Sequence, residues 1–326
     1  MRFVVYGAGA IGGSIGARLF EARSEVVLVC RGPHLEAIRN SGLLFRTPES
    51  DERLRIPAVG HPGEIEWRGD DVVLLTMKTQ DTEAALRDLE ACAGTRVPIV
   101  CAQNGVANER IAARRFANVY AMMVALPSSH LEPGVVSAIA APLSGVLHAG
   151  RFSRGTDETI ERVCSALASA RFASDPDPAA LRLKYAKLLA NLGNALEALA
   201  GPASGERAEV LREARREALA CYAAAGIDCA GQEEYQARVT RHYRAMPVGG
   251  ETRGGGSTWQ SLVRGRPLEV DWLNGEIALL GALHGVPTPA NSALRRAANT
   301  ASARGMKPGP EGIELLDRAL REERAA

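Results

Sequence analysis

Arg2-Phe3-Val4-Val5-Tyr6-Gly7-Ala8-Gly9-Ala10-Ile11-Gly12 is the stretch whose reading decides the fold. Five residues of buried-strand character run straight into G-x-G-x-x-G, and Ile11 to Arg23 has helical spacing. Each glycine has its own task in that context. Gly7 allows the tight turn, Gly9 lets a backbone approach a pyrophosphate, and Gly12 lets the helix lie close to the strand. Ala10 and Ile11 fall in the first helical turn, where unpaired N–H groups and the helix dipole favour an anion. The stretch predicts a strand–loop–helix dinucleotide site at Gly7, Gly9, Ala10, Ile11 and Gly12.

The alternation continues outward. Strand-like runs at Glu25–Cys30, Asp71–Thr76, Arg96–Cys101 and Asn118–Leu126 are interleaved with helical stretches at Pro33–Asn40 and Asp81–Cys92. This is the pattern of βαβ units on a mostly parallel sheet. Val135–Ile139 and Gly145–His148 read as later strands of antiparallel type, and Gly42–Arg55 as a polar hairpin or loop. The character changes at Asp175-Pro176-Asp177-Pro178, beyond which the sequence reads as helix: 179–200, 206–225, 232–244, 269–284, 292–303 and 311–323. Val248–Ser257 reads as a glycine-rich loop. The expectation is an α/β Rossmann-type dinucleotide-binding domain over 1–174, followed by an all-helical substrate domain over 175–326.

In an open parallel sheet, ligands bind beyond the carboxyl ends of the strands. Three polar residues fall there. Arg31 ends the second strand, where an NAD enzyme carries an acidic residue for the ribose 2′-hydroxyl; a guanidinium suits the 2′-phosphate of NADP. Lys78 follows the Asp71–Thr76 strand and Asn104 follows the Arg96–Cys101 strand, both facing the cofactor crevice. In the helical half, Lys187, Asn191 and Asn194 lie at i, i+4 and i+7, within about 60° of one another around a continuous helix. A lysine and two amides on a segment rich in Leu and Ala need polar partners. Ser257 and Thr258 follow a glycine run, and Glu269 opens the next helix.

Composition sets the outer bounds. The 326 residues carry 39 basic and 38 acidic side chains, for a formal net charge of +1, which gives no basic excess for nucleic acid. Of the basic residues, only Lys78, Lys184, Lys187 and Lys307 are lysines. Arg does not lose its proton in proteins, whereas Lys can be tuned to do so. Six scattered cysteines without a C-x-x-C pair fit reduced thiols in a cytoplasmic protein and no metal site. No run of about 18 apolar residues is present, so a membrane partner is not expected. The Ala-rich helical half is suited to pairing with a copy of itself as a homodimer.

In their order and spacing, GAGAIGG, CRG, MKTQD, AQNGV, YAKLLAN, STWQ, RGRPLEVDWLNG and GVPTPAN resemble the ketopantoate reductase (2-dehydropantoate 2-reductase) family. The resemblance implies NADP(H)-dependent reduction of a small-molecule 2-oxo acid to a 2-hydroxy acid. It implies that Lys187 is the catalytic lysine that protonates the ketone oxygen, and that Glu269 is the carboxylate holding the substrate hydroxyl and that lysine. It further implies substrate binding by Asn191 and Ser257, nicotinamide-end positions for Lys78 and Asn104, and 2′-phosphate binding by Arg31. Asn194 stands three residues after Asn191 rather than four, and is followed by Ala195 rather than Pro. The alternatives are a sister NADP-dependent dehydrogenase of hydroxy or amino-acid-derived substrates, and a non-catalytic NADP-sensing protein. The latter is expected to lack the Lys187–Glu269 pair.

Overall fold

The structure, a computed structural model, describes residues 1–201, 205–248 and 255–325. Its strands, in chain order, are β1 (Arg2–Tyr6), β2 (Glu25–Val29), β3 (Leu43–Arg46), β4 (Asp51–Leu54), β5 (Ala58–Val59), β6 (Asp71–Leu75), β7 (Ile99–Cys101), β8 (Val119–Ala125), β9 (Ser128–Ser129), β10 (Val135–Ala138), β11 (Ala140–Pro142), β12 (Gly145–Arg151), β13 (Phe172–Ala173) and β14 (Tyr243–Ala245). The helices are α1 (Ala10–Glu21), α2 (Gly32–Ser41), α3 (Thr82–Ala93), α4 (Asn108–Ala112), α5 (Glu158–Ser169), α6 (Ala180–Asn191), α7 (Asn194–Ala200), α8 (Gly205–Ala224), α9 (Gln232–Arg238), α10 (Ser257–Val263), α11 (Asn274–His284), α12 (Pro289–Ala303) and α13 (Pro310–Ala325).

The main sheet runs β13-β12-β8-β7-β6-β1-β2-β5. From β8 to β5 every pair is parallel, and β12 joins β8 antiparallel. The alternating residues of β1 divide between two cores: Phe3 and Val5 pack with Ile15, Leu19 and Leu28, and Val4 with Val29, Val73 and Ile99. Both faces are therefore apolar, as a sheet covered on two sides requires. At the opposite end from the glycine loop, Arg2 grips Asp71 through two bonds of 2.7 Å, joining the starts of β1 and β6. Because β1 neighbours both β2 and β6, its carboxyl end is a topological switch point, where Gly7 begins the loop.

Gly42–Arg55, expected as a hairpin or loop, forms the antiparallel β3–β4 hairpin of a second sheet, β4-β3-β10-β9. This sheet lies close to α1: a Cβ on Gly13 would come within 2.7 Å of Val136.

The chain divides into two units, Met1–Lys184 with Gly231–Thr252, and Tyr185–Ala230 with Arg253–Ala326. The sequence places this change ten residues earlier and expects no return. The first turn of α6 belongs to the first unit because Lys184 is bound there. The segment 231–252 belongs there because β14 pairs antiparallel with β11, Arg238 binds Asp177 at 2.8 Å and Arg182 binds Glu234 at 2.7 Å. The expected helix over 232–244 therefore stops at Arg238, and the expected all-helical half contains β14. Much of the expected 248–257 loop, residues 249–254, lies outside the described residues.

The core of the second unit is built from small side chains. Ala290, Ala293, Ala297 and Ala301 of α12 pack with Leu196 and Leu199 of α7 and Leu316 and Leu320 of α13. Helix α13 is an integral layer: a Cβ on its Gly312 would lie 2.3 Å from the Leu199 carbonyl oxygen. Among the described residues, no helix is long and apolar enough to cross a membrane.

Candidate functional site

The glycine loop is held from three sides. Gly7 has φ +104° and donates to the Val29 carbonyl at 2.9 Å; a Cβ there would lie 2.6 Å from the Met77 nitrogen. Thr76 Oγ1 lies 2.9 Å from both the Tyr6 and Gly7 carbonyl oxygens. The Gly134 N–H donates to His34 Nδ1 at 2.9 Å, so Nε2 carries the ring proton and donates to the Ala8 carbonyl at 2.7 Å. Burial, followed by the neighbouring His130, lowers the His34 pKa to about 4.

Gly12 is required by the protein itself, since a Cβ would lie 2.3 Å from Thr76 Oγ1 and 2.4 Å from the Gly7 carbonyl oxygen. At Gly9 a Cβ would meet nothing within 4 Å. The protein leaves that space open beside the start of α1, which has no side-chain cap. Open space, an uncapped helix start and backbone N–H groups fit a dinucleotide pyrophosphate.

At the neighbouring strand ends, Arg31 is 85% exposed and touches Asp81 at 3.2 Å. An exposed pair of this kind is weak and yields to a phosphate. Lys78 and Asn104 are half-buried, with Lys78 preceding the 3-10 turn Thr79–Asp81 and Asn104 preceding Gly105 at φ +76°.

Lys187 and Asn191 lie one turn apart on α6 in the second unit. Asn191 is only 4% exposed, and its buried Nδ2 has no hydrogen-bond partner among the described residues. The third member of the expected stripe is a correction. Helix α6 ends at Asn191, and Leu192-Gly193 breaks it before α7 starts at Asn194, so the i+7 angle does not apply to Asn194. Glycine weakens a helix interior by about 1 kcal/mol, and the Asn274 side chain donates to the Leu192 carbonyl at 3.2 Å. Asn194 instead lies near Gly256, the residue that precedes Ser257. A Cβ on Gly256 would lie 3.7 Å from Asn194 Oδ1 and 2.5 Å from Glu197 Oε2, and the Gly256 N–H donates to Glu197 Oε1 at 3.1 Å. Ser257 starts α10, a helix not foreseen, and is half-buried. Glu269 is half-buried before a 3-10 turn, Val270–Trp272, and the α-helix starts only at Asn274.

Sequence reasoning missed the braces: Thr76, His34, the Glu109 partner of Lys184, and Glu197. None has a local signal, because each is defined by a partner distant in the chain or by a turn.

A parallel sheet with a G-x-G-x-x-G loop at its switch point and a separate helical unit defines a dinucleotide-dependent oxidoreductase. Two family models match the chain: ketopantoate reductase PanE/ApbA over residues 3–153, and ketopantoate reductase PanE/ApbA C terminal over residues 180–301. The chain belongs to the ketopantoate reductase PanE/ApbA family. It is 29% identical over 318 residues to a 2-dehydropantoate 2-reductase of Caulobacter vibrioides, covering 91% of this chain and 98% of that protein. A 2-dehydropantoate 2-reductase of Mesorhizobium japonicum is also 29% identical, with 90% and 95% covered. Among solved structures, the PanE/ApbA family ketopantoate reductase from Ralstonia eutropha JMP134 superposes with a TM-score of 0.78 at 27% identity, covering 94% and 99% of the two chains. Helix α13 begins after the second family match ends at residue 301.

Proposed function

We propose that the protein reduces 2-dehydropantoate (ketopantoate) to (R)-pantoate with NADPH, a step of pantothenate and coenzyme A synthesis. The observation that carries this reading is on α6: one turn from Lys187, the buried Asn191 amide nitrogen has no partner among the described residues, which supports its donating to a polar substrate atom. Gly7, Gly9, Ala10, Ile11 and Gly12 take the pyrophosphate, Arg31 the 2′-phosphate, and Lys78 and Asn104 the nicotinamide end. Bound NADPH supplies the hydride.

The chain's own residues manage the proton and the charge. As the ketone carbon is reduced, its oxygen develops negative charge. The Lys187 ammonium stabilises that charge and delivers the proton to the oxygen. Glu269 accepts from the substrate hydroxyl and orients Lys187. Asn191, Asn194 and Ser257 provide donors to the carboxylate and hydroxyl of the substrate. The compartment is the cytoplasm and the assembly a homodimer, consistent with six free cysteines and with Leu279 and Leu283 exposed one turn apart on α11; sedimentation tests the assembly.

The test follows NADPH oxidation with ketopantoate and a panel of other 2-oxo acids. Wild type turns over ketopantoate. Lys187→Ala loses about a hundredfold in kcat, the usual scale for an acid–base group. Lys187→Arg keeps the charge and still loses most of the rate. Preference for another 2-oxo acid would replace the substrate, and an active Lys187→Ala would remove the assigned role.

A further inference from the structure

Lys184 and Glu109 lie in the first unit and have no part in the chemistry above. Lys184 Nζ sits 2.5 Å from Glu109 Oε1, with the two side chains 3% and 0% exposed. It also donates to the Gln103 carbonyl at 3.0 Å and approaches the Cys101 carbonyl at 3.4 Å. Two backbone carbonyls and the carboxylate of the ion pair thus surround the ammonium. Neither Glu109 carboxylate oxygen makes a hydrogen bond among the described residues, so Lys184 is its ion-pair partner there. A buried ion pair is a poor way to gain stability, because desolvation of both charges offsets their attraction.

Its acceptors bracket residues 101–109, the segment that carries Asn104. The far side of that segment is tied as well. Gln103 Nε2 donates to the Met77 carbonyl at 2.9 Å and to Thr82 Oγ1 at 2.8 Å, and the Thr82 hydroxyl donates to Asn108 Oδ1 at 2.8 Å. Asn108 Nδ2 donates to Thr79 Oγ1 at 3.1 Å and lies 3.4 Å from the Asn104 carbonyl oxygen. The loops carrying Lys78 and Asn104 are thus cross-linked by buried side chains, and Lys184 anchors the assembly to the sheet end.

We propose that the Lys184–Glu109 pair is a positioning device for the nicotinamide end of the cofactor site, acting through Asn104. The proposal rests on the reading of Asn104 given above. Lys184 is therefore a structural tie, in contrast to the proton-donating role assigned to Lys187.

The experiment measures binding of two ligands without substrate: NADPH, and 2′-phospho-ADP-ribose, which lacks the nicotinamide. Lys184→Met alone strands a buried carboxylate and is expected to unfold easily, so the decisive variant is Lys184→Met/Glu109→Leu, checked by circular dichroism. The double variant is expected to bind NADPH about tenfold more weakly, with kcat/KM for NADPH reduced to match, and to bind 2′-phospho-ADP-ribose as wild type does. Unchanged NADPH binding, or equal weakening of both ligands, would overturn the positioning role and leave the proposed reaction standing. Wild type that binds neither ligand would overturn the cofactor reading and this inference with it. If the double variant does not fold, Glu109→Gln provides the same comparison while keeping the side-chain volume, and is held to the same outcomes.

Discussion

Gly9 and Gly12 are three residues apart, yet glycine is required at each for a different reason. A methyl group at Gly12 collides with Thr76 and with the Gly7 backbone; at Gly9 it enters open space. Gly12→Ala is expected to cost about 1–3 kcal/mol of stability, the usual range for overpacking, seen as a fall in melting temperature. Gly9→Ala is expected to melt with wild type while NADPH affinity drops at least tenfold. Titration calorimetry beside thermal unfolding separates the two, and equal effects would refute the assignment. His34 offers a pH test. Its folded pKa, about 4, lies below the unfolded value of about 6.5 because burial and His130 oppose the charged ring. Between those values the unfolded chain binds the proton and the folded one does not, so stability rises with pH through this window. Denaturant midpoints from pH 4 to 7 should show that slope, and His34→Gln should flatten it.

At the scale of the element, the sequence was legible where structure is local. β1, β2, β6 and the helices between them fall within a few residues of expectation, because alternating apolar runs and glycine punctuation specify them. Three things were not legible. Helices α4, α5 and α10 were not foreseen. The second sheet depends on Leu44 pairing with Val135, far along the chain. The α6–α7 break depends on Asn274, whose amide also donates to Asn291 Oδ1 at 3.1 Å. The candidate site follows the same rule: the glycines, strand-end residues and Lys187 proposed for it carry a local sequence signal, while the His34–Gly134 contact, a hundred residues apart, carries none. The WLNG and GVPTPAN motifs acquire a physical role here, since Asn274 and Asn291 meet, and Glu217 accepts from the Ala290 and Asn291 N–H groups at the start of α12. Asn274→Ala leaves the Leu192 carbonyl and Asn291 Oδ1 without this donor. It is expected to cost about 1–3 kcal/mol and to raise KM for the 2-oxo acid severalfold at unchanged NADPH affinity. Steady-state kinetics alongside urea unfolding check both halves.

For the whole molecule, the discontinuous first unit is the main departure from a two-domain reading of the sequence. A fragment of residues 1–184 leaves β11 without β14 and Asp177 without Arg238. Joining 231–252 to that fragment through a flexible Gly-Ser linker should raise its melting temperature by several degrees; no gain would mean that the returning segment contributes little.

The same return orders events on the ribosome. The glycine loop and the parallel sheet emerge early, but the strand that covers the β11 edge cannot be added until all of Tyr185–Ala230 has been synthesised. At about 5–20 residues per second, that leaves a dinucleotide-binding unit with its β11 edge open for seconds, the interval in which a nascent chain is most exposed to wrong strand partners and to chaperones.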